Sequence, residues 1–427
     1  MMKTKKVFTI ITILTLLLTG ILAGCSSSNE EADKGKDQGT AQGEKVQITL
    51  AGWGSSPEET KLFNQTLDAF KEKNPNIDVK FEVIADQYMD VMKTRLVGGQ
   101  AADVFFLDAF EAPGLIETGV LEPLDDYVTD DFDVNDFEKP MLDAFKGKDG
   151  NIYGFPKDFS TLALFYNKKM FADAGIKNPP TTWDELREIS KKLTKGTEVY
   201  GFGVAPELAR LMYVAQSTGD QVVKDDKANF ASDKAVNALQ PIVDQHVIDK
   251  TSAQPSEVGA DWGGDMFGQG KAAMVIEGPW AIPFLESNFP NLDYATAEVP
   301  TINGNKGTMA YTVAYVMNKE SKNKEAAWKL ISFLTGKEGM KIWTSKGIAL
   351  PTRKSVAAEL GFDKDPLRAP MIEGAGYATV WQGGANLPII MNNFNNQFVS
   401  AFLGDRPLNE ALKEAQDQAN NEIQANQ

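Results

Sequence analysis

A chain of 427 residues with a formal charge of −16, one histidine and one cysteine is long enough for two hydrophobic cores and cannot form an internal disulfide. Its acidity argues against nucleic acid as partner, because that affinity is built on neutralising phosphates with Lys and Arg.

Residues 1–25 open Met-Met-Lys-Thr-Lys-Lys, continue through an uncharged apolar run at 7–23 and end Leu22-Ala23-Gly24-Cys25. A basic start, an apolar core and a small-residue stop predict a secretory signal peptide over residues 1–24 rather than a membrane span. The last four residues resemble the lipobox of bacterial lipoproteins, which makes Cys25 the expected lipidation site; two acyl chains anchor stably where one does not. Residues 26–44 hold no aromatic and only Thr40 as a β-branched residue, too little to offset chain entropy, and read as a flexible tether. Loss of Lys3, Lys5 and Lys6 with the signal takes the formal charge to −19.

Alternating Val46, Ile48 and Leu50 predict a strand, and Leu62, Phe63, Leu67 and Phe70 recur at helical spacing until Asn74-Pro75 stops them. A strand at 77–83, a helix over about 87–97 and the continuous apolar run 104–107 complete a β-α-β-α-β order, the pattern of a parallel α/β sheet. In such sheets ligands lie beyond the carboxyl ends of strands, which marks residues 53–58 and 108–111.

Further on, the pattern predicts a strand at 162–166 and a helix opened by Thr182 with Glu185 three residues later. A helix follows over about 232–248, offset at Pro241, then a buried strand at 274–276 ending in Gly278-Pro279-Trp280. A strand at 311–317, an amphipathic helix at 324–334 and a helix at 407–423 with proline at its start close the chain.

His246, with Leu239 and Val243 at i−7 and i−3, sits at the edge of an apolar helix face and reads as structural. Zinc hydrolases, His-dependent triads and two-His metalloproteases are thereby left without ligands or base. The acidic stretch 125–138 places Asp131, Asp133 and Asn135 like the first three ligands of an EF-hand loop. It then has Asp136 where glycine is needed and Leu142 where the closing glutamate belongs, so it reads as a solvated acidic surface. Gly52-Trp53-Gly54 and Gly201-Phe202-Gly203 both meet proline at the third fingerprint position, and Gly270-Lys271 is preceded by Asp265 where a phosphate loop needs glycine. No cofactor and no metal are expected. A glycosidase carboxylate pair is defined in space and stays open as an alternative.

Of the seven tryptophans, Trp183, Trp328 and Trp343 fall on helices and read as core. Trp53, Trp280 and Trp381 sit in Gly-rich loops, with Trp262 less clearly placed. A ring offers an apolar face to the C–H side of a pyranose while nearby polar side chains take its hydroxyls.

Several stretches then resemble one family: ADVFFLD at 102–108, GVLEPLDDY at 119–127, YGFPKDFSTLALFYNKKMF at 153–171 and PPTTWDEL at 179–186. FGQGKAAMVIEGPW at 267–280, SKNKEAAWKLISFLTGKEG at 321–339, GIALPTRKS at 347–355 and LNEALKEAQ at 408–416 follow in order. Together they make residues 45–425 similar to the bacterial extracellular solute-binding proteins of family 1, the carbohydrate-binding cluster related to maltose/maltodextrin-binding protein. The resemblance implies a periplasmic-binding-protein type II α/β fold, two α/β lobes joined by a hinge. The first lobe would be 45–157 with 311–357, the second 161–306 with 363–427, and the crossovers near 158–160, 307–310 and 358–362.

By position it implies a ligand-binding set of Trp53, Ser55, Glu58, Asp108, Phe110, Glu111, Asp158, Ser160, Trp280, Tyr311 and Trp381. The maltodextrin-binding member has carboxylates where this chain has Phe110 and Ser160, which points away from maltodextrin. The implied role is that of a monomeric, non-enzymatic, lipid-anchored receptor on the outer side of the cytoplasmic membrane. It would bind a carbohydrate, of oligosaccharide length, and pass it to the permease of an ABC importer. An extracellular carbohydrate-active enzyme and a receptor for glycerol-phosphate or a peptide remain the alternatives.

Overall fold

Apolar runs such as Val104–Asp108 and Ala272–Glu277, buried almost throughout, can form only where a sheet is covered on both faces. The computed structural model describes residues 45–54 and 57–426, without the side chains of Pro57 and Glu58. The signal peptide, Cys25, the tether and Ser55 therefore lie outside the described residues, as does the side chain of Glu58.

In chain order the strands are β1 (Val46–Trp53), β2 (Ile77–Ile84), β3 (Val104–Asp108), β4 (Gly154–Thr161), β5 (Ala163–Asn167), β6 (Tyr200–Gly203), β7 (Val223–Lys224), β8 (Lys227–Ala228), β9 (Ser252–Ala253), β10 (Ala272–Glu277), β11 (Tyr294–Ala297), β12 (Met309–Met317) and β13 (Thr379–Val380). β1, β2 and β3 pair in parallel as their alternation with helices requires, and β12 joins them antiparallel to β3. β4 and β13 also pair with β12. The second sheet runs β11-β5-β10-β6-β9, and β7 with β8 forms a separate ribbon. One residue, Leu162, separates β4 in the first sheet from β5 in the second.

Helices Pro57–Lys73, Lys324–Leu334 and Lys337–Thr344 bury Phe63, Phe70, Leu330 and Met340 against the first sheet. Around the second sheet, successive strand residues take opposite sides, as the two-residue period dictates. Leu164 and Met274 enter one cluster with the helices Asp233–Val247, Leu387–Phe402 and Leu408–Ala425. Phe165 and Val275 enter another, which also takes Phe159 from β4 and Ala310 from β12, so this cluster joins the two sheets. The helix Trp183–Leu193 lies so close to β6 that a Cβ on Gly201 would stand 2.3 Å from the Ser190 Cα. Only glycine permits that approach.

Local expectations are met with some shifts. Thr182 accepts the Glu185 N–H as a cap should, but the Glu185 carboxylate takes the Thr181 N–H at 2.7 Å instead of that of Thr182. His246 is structural: its ring stacks on Phe402 at 4.3 Å, and its Nδ1 lies 2.8 Å from the Ser252 carbonyl oxygen. β4 is a strand where only an unassigned stretch was expected. β13, inside the segment 363–427 expected in the second lobe, belongs to the first sheet because its backbone pairs with Met309 and Ala310.

The acidic stretch is not a purely solvated surface. It forms three short 3-10 turns, the last two of which meet the buried Arg353 side chain; Arg353 donates to the carbonyls of Phe132 (2.8 Å) and Asp133 (3.0 Å), while Asp136 accepts from the Ser355 N–H and hydroxyl. Among the described residues no helix is long and apolar enough to cross a membrane, and no cluster of His, Cys, Asp and Glu could hold a metal ion.

Candidate functional site

Three strands converge on Val313. Antiparallel pairing sets it opposite Asp108 at the end of β3 and opposite Asp158 on β4, so two carboxylates flank one residue of β12. Burial pushes the Asp108 carboxyl up to about 6, a rise to which the neighbouring charges of Glu111 and Asp158 add. Its Oδ1 accepts the Phe110 N–H at 2.8 Å.

Asp158 is differently placed. The Lys157 ammonium lies 2.5 Å from its Oδ2, and the Trp343 indole donates to the same oxygen at 2.7 Å. Lys157 also stands 3.8 Å from the centre of the Trp343 ring. Both charges are buried, and such a pair is tolerable only when its members satisfy one another as these do. Lys157, Trp343, Trp53, Phe106 and Phe81 line a recess of about 180 Å³ at the carboxyl ends of β1, β2 and β3. Trp53 is set there by edge-on contacts with Tyr88 and Phe106, at 5.2 and 5.3 Å.

A second concavity, about 460 Å³, opens beyond the carboxyl ends of β6 and β10; Glu207, Arg210, Gln254, Asp261, Trp262 and Glu277 are among its lining. Glu277 ends the buried strand β10 and is itself buried, which raises its carboxyl above the usual range despite the nearby Arg210. It accepts the Trp280 indole N–H at 3.1 Å and lies 3.3 Å from Arg210 Nη2. A Cβ on Gly263 would come within 2.4 Å of Glu277 Oε1, so glycine is what admits the carboxylate. The Arg210 guanidinium carbon sits 5.0 Å from the Trp280 ring centre and 5.8 Å from that of Tyr311. Tyr311, on β12, donates its hydroxyl to the Ala209 carbonyl in the helix Leu208–Gln216 and meets the Trp280 ring at 6.0 Å.

Of the expected site residues, Trp53 lines the first recess, Asp158 is bound to its Lys157 and Trp343, and Asp108 lies across Val313 from Asp158. Trp280 and Tyr311 meet beside the second concavity, and Ser160 pairs with Tyr311 in the β4–β12 register. Phe110 and Trp381 stack on each other. Glu111 instead pairs with Lys93 at 2.9 Å. Sequence reasoning missed Lys157, Arg210 and Glu277, and it read Trp343 as core only. A signal existed for two of them: Lys157 and Glu277 are charges in otherwise apolar strands, and a buried charge demands a partner. Arg210 carried none.

The chain matches the family model described as bacterial extracellular solute-binding protein over residues 53–341. It is 30% identical over 414 residues to a binding protein of Brucella abortus (strain 2308), covering 93% of this chain and 96% of that one. It is 23% identical to the galactooligosaccharide-binding protein of Bacillus subtilis (strain 168), over 95% of this chain and 94% of the other. Its structure is similar, with a TM-score of 0.77 and 26% identity, to an ABC substrate-binding protein from Listeria monocytogenes solved with cycloalternan; the match covers 89% of this chain and 99% of that one.

Proposed function

We propose, since this chain belongs to the bacterial extracellular solute-binding protein family, that it captures an oligosaccharide and delivers it to an ABC import permease. The observation that carries the reading is the Trp280 ring beside Tyr311, its indole N–H committed to Glu277 and Arg210 against it. An apolar face rimmed by ordered polar groups is what a pyranose needs. The recess of Trp53, Trp343 and Lys157 repeats the combination on the first sheet. The names of the Bacillus subtilis relative and of the Listeria monocytogenes complex support the same class.

Closure would bend the chain near 158–160, 307–310 and 358–362, and ligand contacts from both lobes would stabilise the closed form. No bond need be made or broken, so the protein acts as a receptor and not as an enzyme. Cys25, diacylated after signal removal, would hold the monomer outside the cytoplasmic membrane through the tether 26–44.

Calorimetric titration of residues 26–427 against a panel of oligosaccharides tests the ligand class. Binding should raise the melting temperature by mass action and lower the radius of gyration in solution scattering. A panel that gives no heat and no thermal shift would sink the reading, and chromatographic detection of cleaved sugar would replace it with the enzyme. Mass spectrometry of the N-terminal peptide, with Cys25→Ala as control, checks the anchor.

A further inference from the structure

Granting that the two lobes move about a hinge, as the reading above requires, we infer that Gln382 fastens residues 381–386 as a clasp between them, so that the opening of the ligand-free molecule is limited by a contact no ligand makes. A carboxamide has two N–H groups, and Gln382 commits both: it donates to the carbonyls of Ala109 and Ala144, at 3.0 and 2.6 Å. Those two residues are buried in the cluster of the first sheet. The chain on either side of Gln382 is held elsewhere. Trp381 and Leu387 enter the cluster around the second sheet, and Asn386 donates to the Asp226 carbonyl at 2.9 Å, in the turn of the β7–β8 ribbon. This short stretch of backbone is therefore tied to both lobes at once. Phe110, the neighbour of Ala109, stacks on Trp381 and adds an apolar contact to the same junction.

Gln382 is only half-buried, so when the lobes part its amide and the two carbonyls can turn to water. The bonds are made in the fastened state and exchanged for water in the parted one, which is the condition for a contact to bias an equilibrium between the two. A pair of such bonds with an aromatic stack shifts an equilibrium by about tenfold or more. At the same junction Lys148, paired with Glu117 at 2.6 Å, is also attracted by the Asp226 charge on the ribbon, which acts in the same direction. Apparent affinity is the intrinsic affinity scaled by the fraction of molecules competent to bind. Loosening the clasp thus weakens every ligand by one common factor, whereas removing a group that touches ligand weakens different ligands unequally.

Cys25 is the one cysteine of the chain, so residues 26–427 can carry spin labels at Glu72→Cys and Lys192→Cys alone, exposed positions on the helices Pro57–Lys73 and Trp183–Leu193 of the two lobes. Electron double resonance then measures the distance between the lobes, ligand-free and with maltotriose, β-1,4-galactotriose or arabinotriose added. Expected is a narrow ligand-free distribution in the labelled chain that keeps Gln382. A shifted, broader one is expected in Gln382→Ala, in Gln382→Glu, which keeps the size but loses the donors, and in Asn386→Ala, which frees the other end. By calorimetry on unlabelled protein, each sugar that binds the wild type should bind these variants about tenfold more weakly, by the same factor for every sugar. Ligand-free distances that stay at the wild-type value in Gln382→Ala and Asn386→Ala would overturn the clasp. So would a lower melting temperature with distances unchanged, which makes Gln382 structural, or losses that differ from sugar to sugar, which make it a ligand contact. Should Gln382→Ala fail to fold, Asn386→Ala decides by the same distances. Failure of every sugar to bind would remove the carbohydrate reading, while the ligand-free distances would still uphold or overturn the clasp.

Discussion

The phenyl ring of Phe110 lies flat against the indole of Trp381, with centroids 5.4 Å apart and planes 11° from parallel. Phe110 follows β3 of the first sheet, whereas Trp381 packs into the large core around the second. Gln382 reinforces the junction by donating to the carbonyls of Ala109 and Ala144 at 3.0 and 2.6 Å. One face of the indole is therefore taken by protein, and a ligand could meet only the rest. A double-mutant cycle of Phe110→Ala and Trp381→Ala in urea should give a coupling of about 0.5–1.5 kcal/mol, the usual worth of an aromatic pair beyond its burial. Additive effects would mean the stack contributes nothing of its own.

Asp108 should leave a signature in the dependence of stability on pH. Its folded pKa of about 6 lies above the ordinary 3.8, so the folded state holds the proton more firmly than the unfolded one. The contribution is fully present below pH 3.8 and is lost as pH rises through 6. Asp108→Asn stays neutral and keeps an oxygen for the Phe110 N–H. The variant should exceed the wild type by up to about 3 kcal/mol at pH 7.5 and converge with it near pH 4. Parallel stability profiles across that range would contradict the assignment.

Arg353 ties the acidic turns at 130–136 to the end of the helix Lys324–Leu334. Besides Phe132 and Asp133 it donates to the Thr335 carbonyl at 2.6 Å, and its side chain is 1% exposed. Arg353→Ala removes these donors and leaves buried carbonyls without partners, a loss of about 3–5 kcal/mol by denaturant unfolding. Proteolysis within 125–138 should accelerate in the variant.

Gly201→Ala is expected to destabilise far beyond the usual small cost of adding a methyl group. The added Cβ would stand 2.3 Å from backbone at Ser190, which no rotamer change relieves. Separation of helix Trp183–Leu193 from β6 should lower stability by about 2–4 kcal/mol, read as a shift of the urea midpoint at constant m-value. A wild-type midpoint would show that the helix can move aside freely.

Much of the architecture could be read from periodicity. The β-α-β-α-β start, the helix expected over about 232–248 and the final amphipathic helix occur close to where the sequence pattern placed them, because each is decided by residues close in sequence. β4 escaped because Lys157-Asp158 interrupts its apolar pattern, and only Trp343, 185 residues away, makes that pair acceptable. Trp343 illustrates the same limit from the other side: helical spacing rightly said buried, but could not say that its indole N–H serves the Asp158 carboxylate. Arg210 shows it most plainly. Nothing in LARLMYVAQ distinguishes a surface arginine from one enclosed by Glu207 just before the helix and by Glu277, Trp280 and Tyr311, which two other segments supply.

The pairing of β12 has a consequence for the order of assembly. Val313–Met317 join the first sheet against β3, more than two hundred residues upstream, and every strand from β5 to β11 lies between them. A chain emerging from its N-terminus cannot finish the first lobe until most of the second has been synthesised. Closing so long a loop is slow compared with forming local contacts. The polypeptide thus stays incompletely folded for most of its synthesis, and a nascent chain stopped before residue 309 would lack the strand that joins its two sheets.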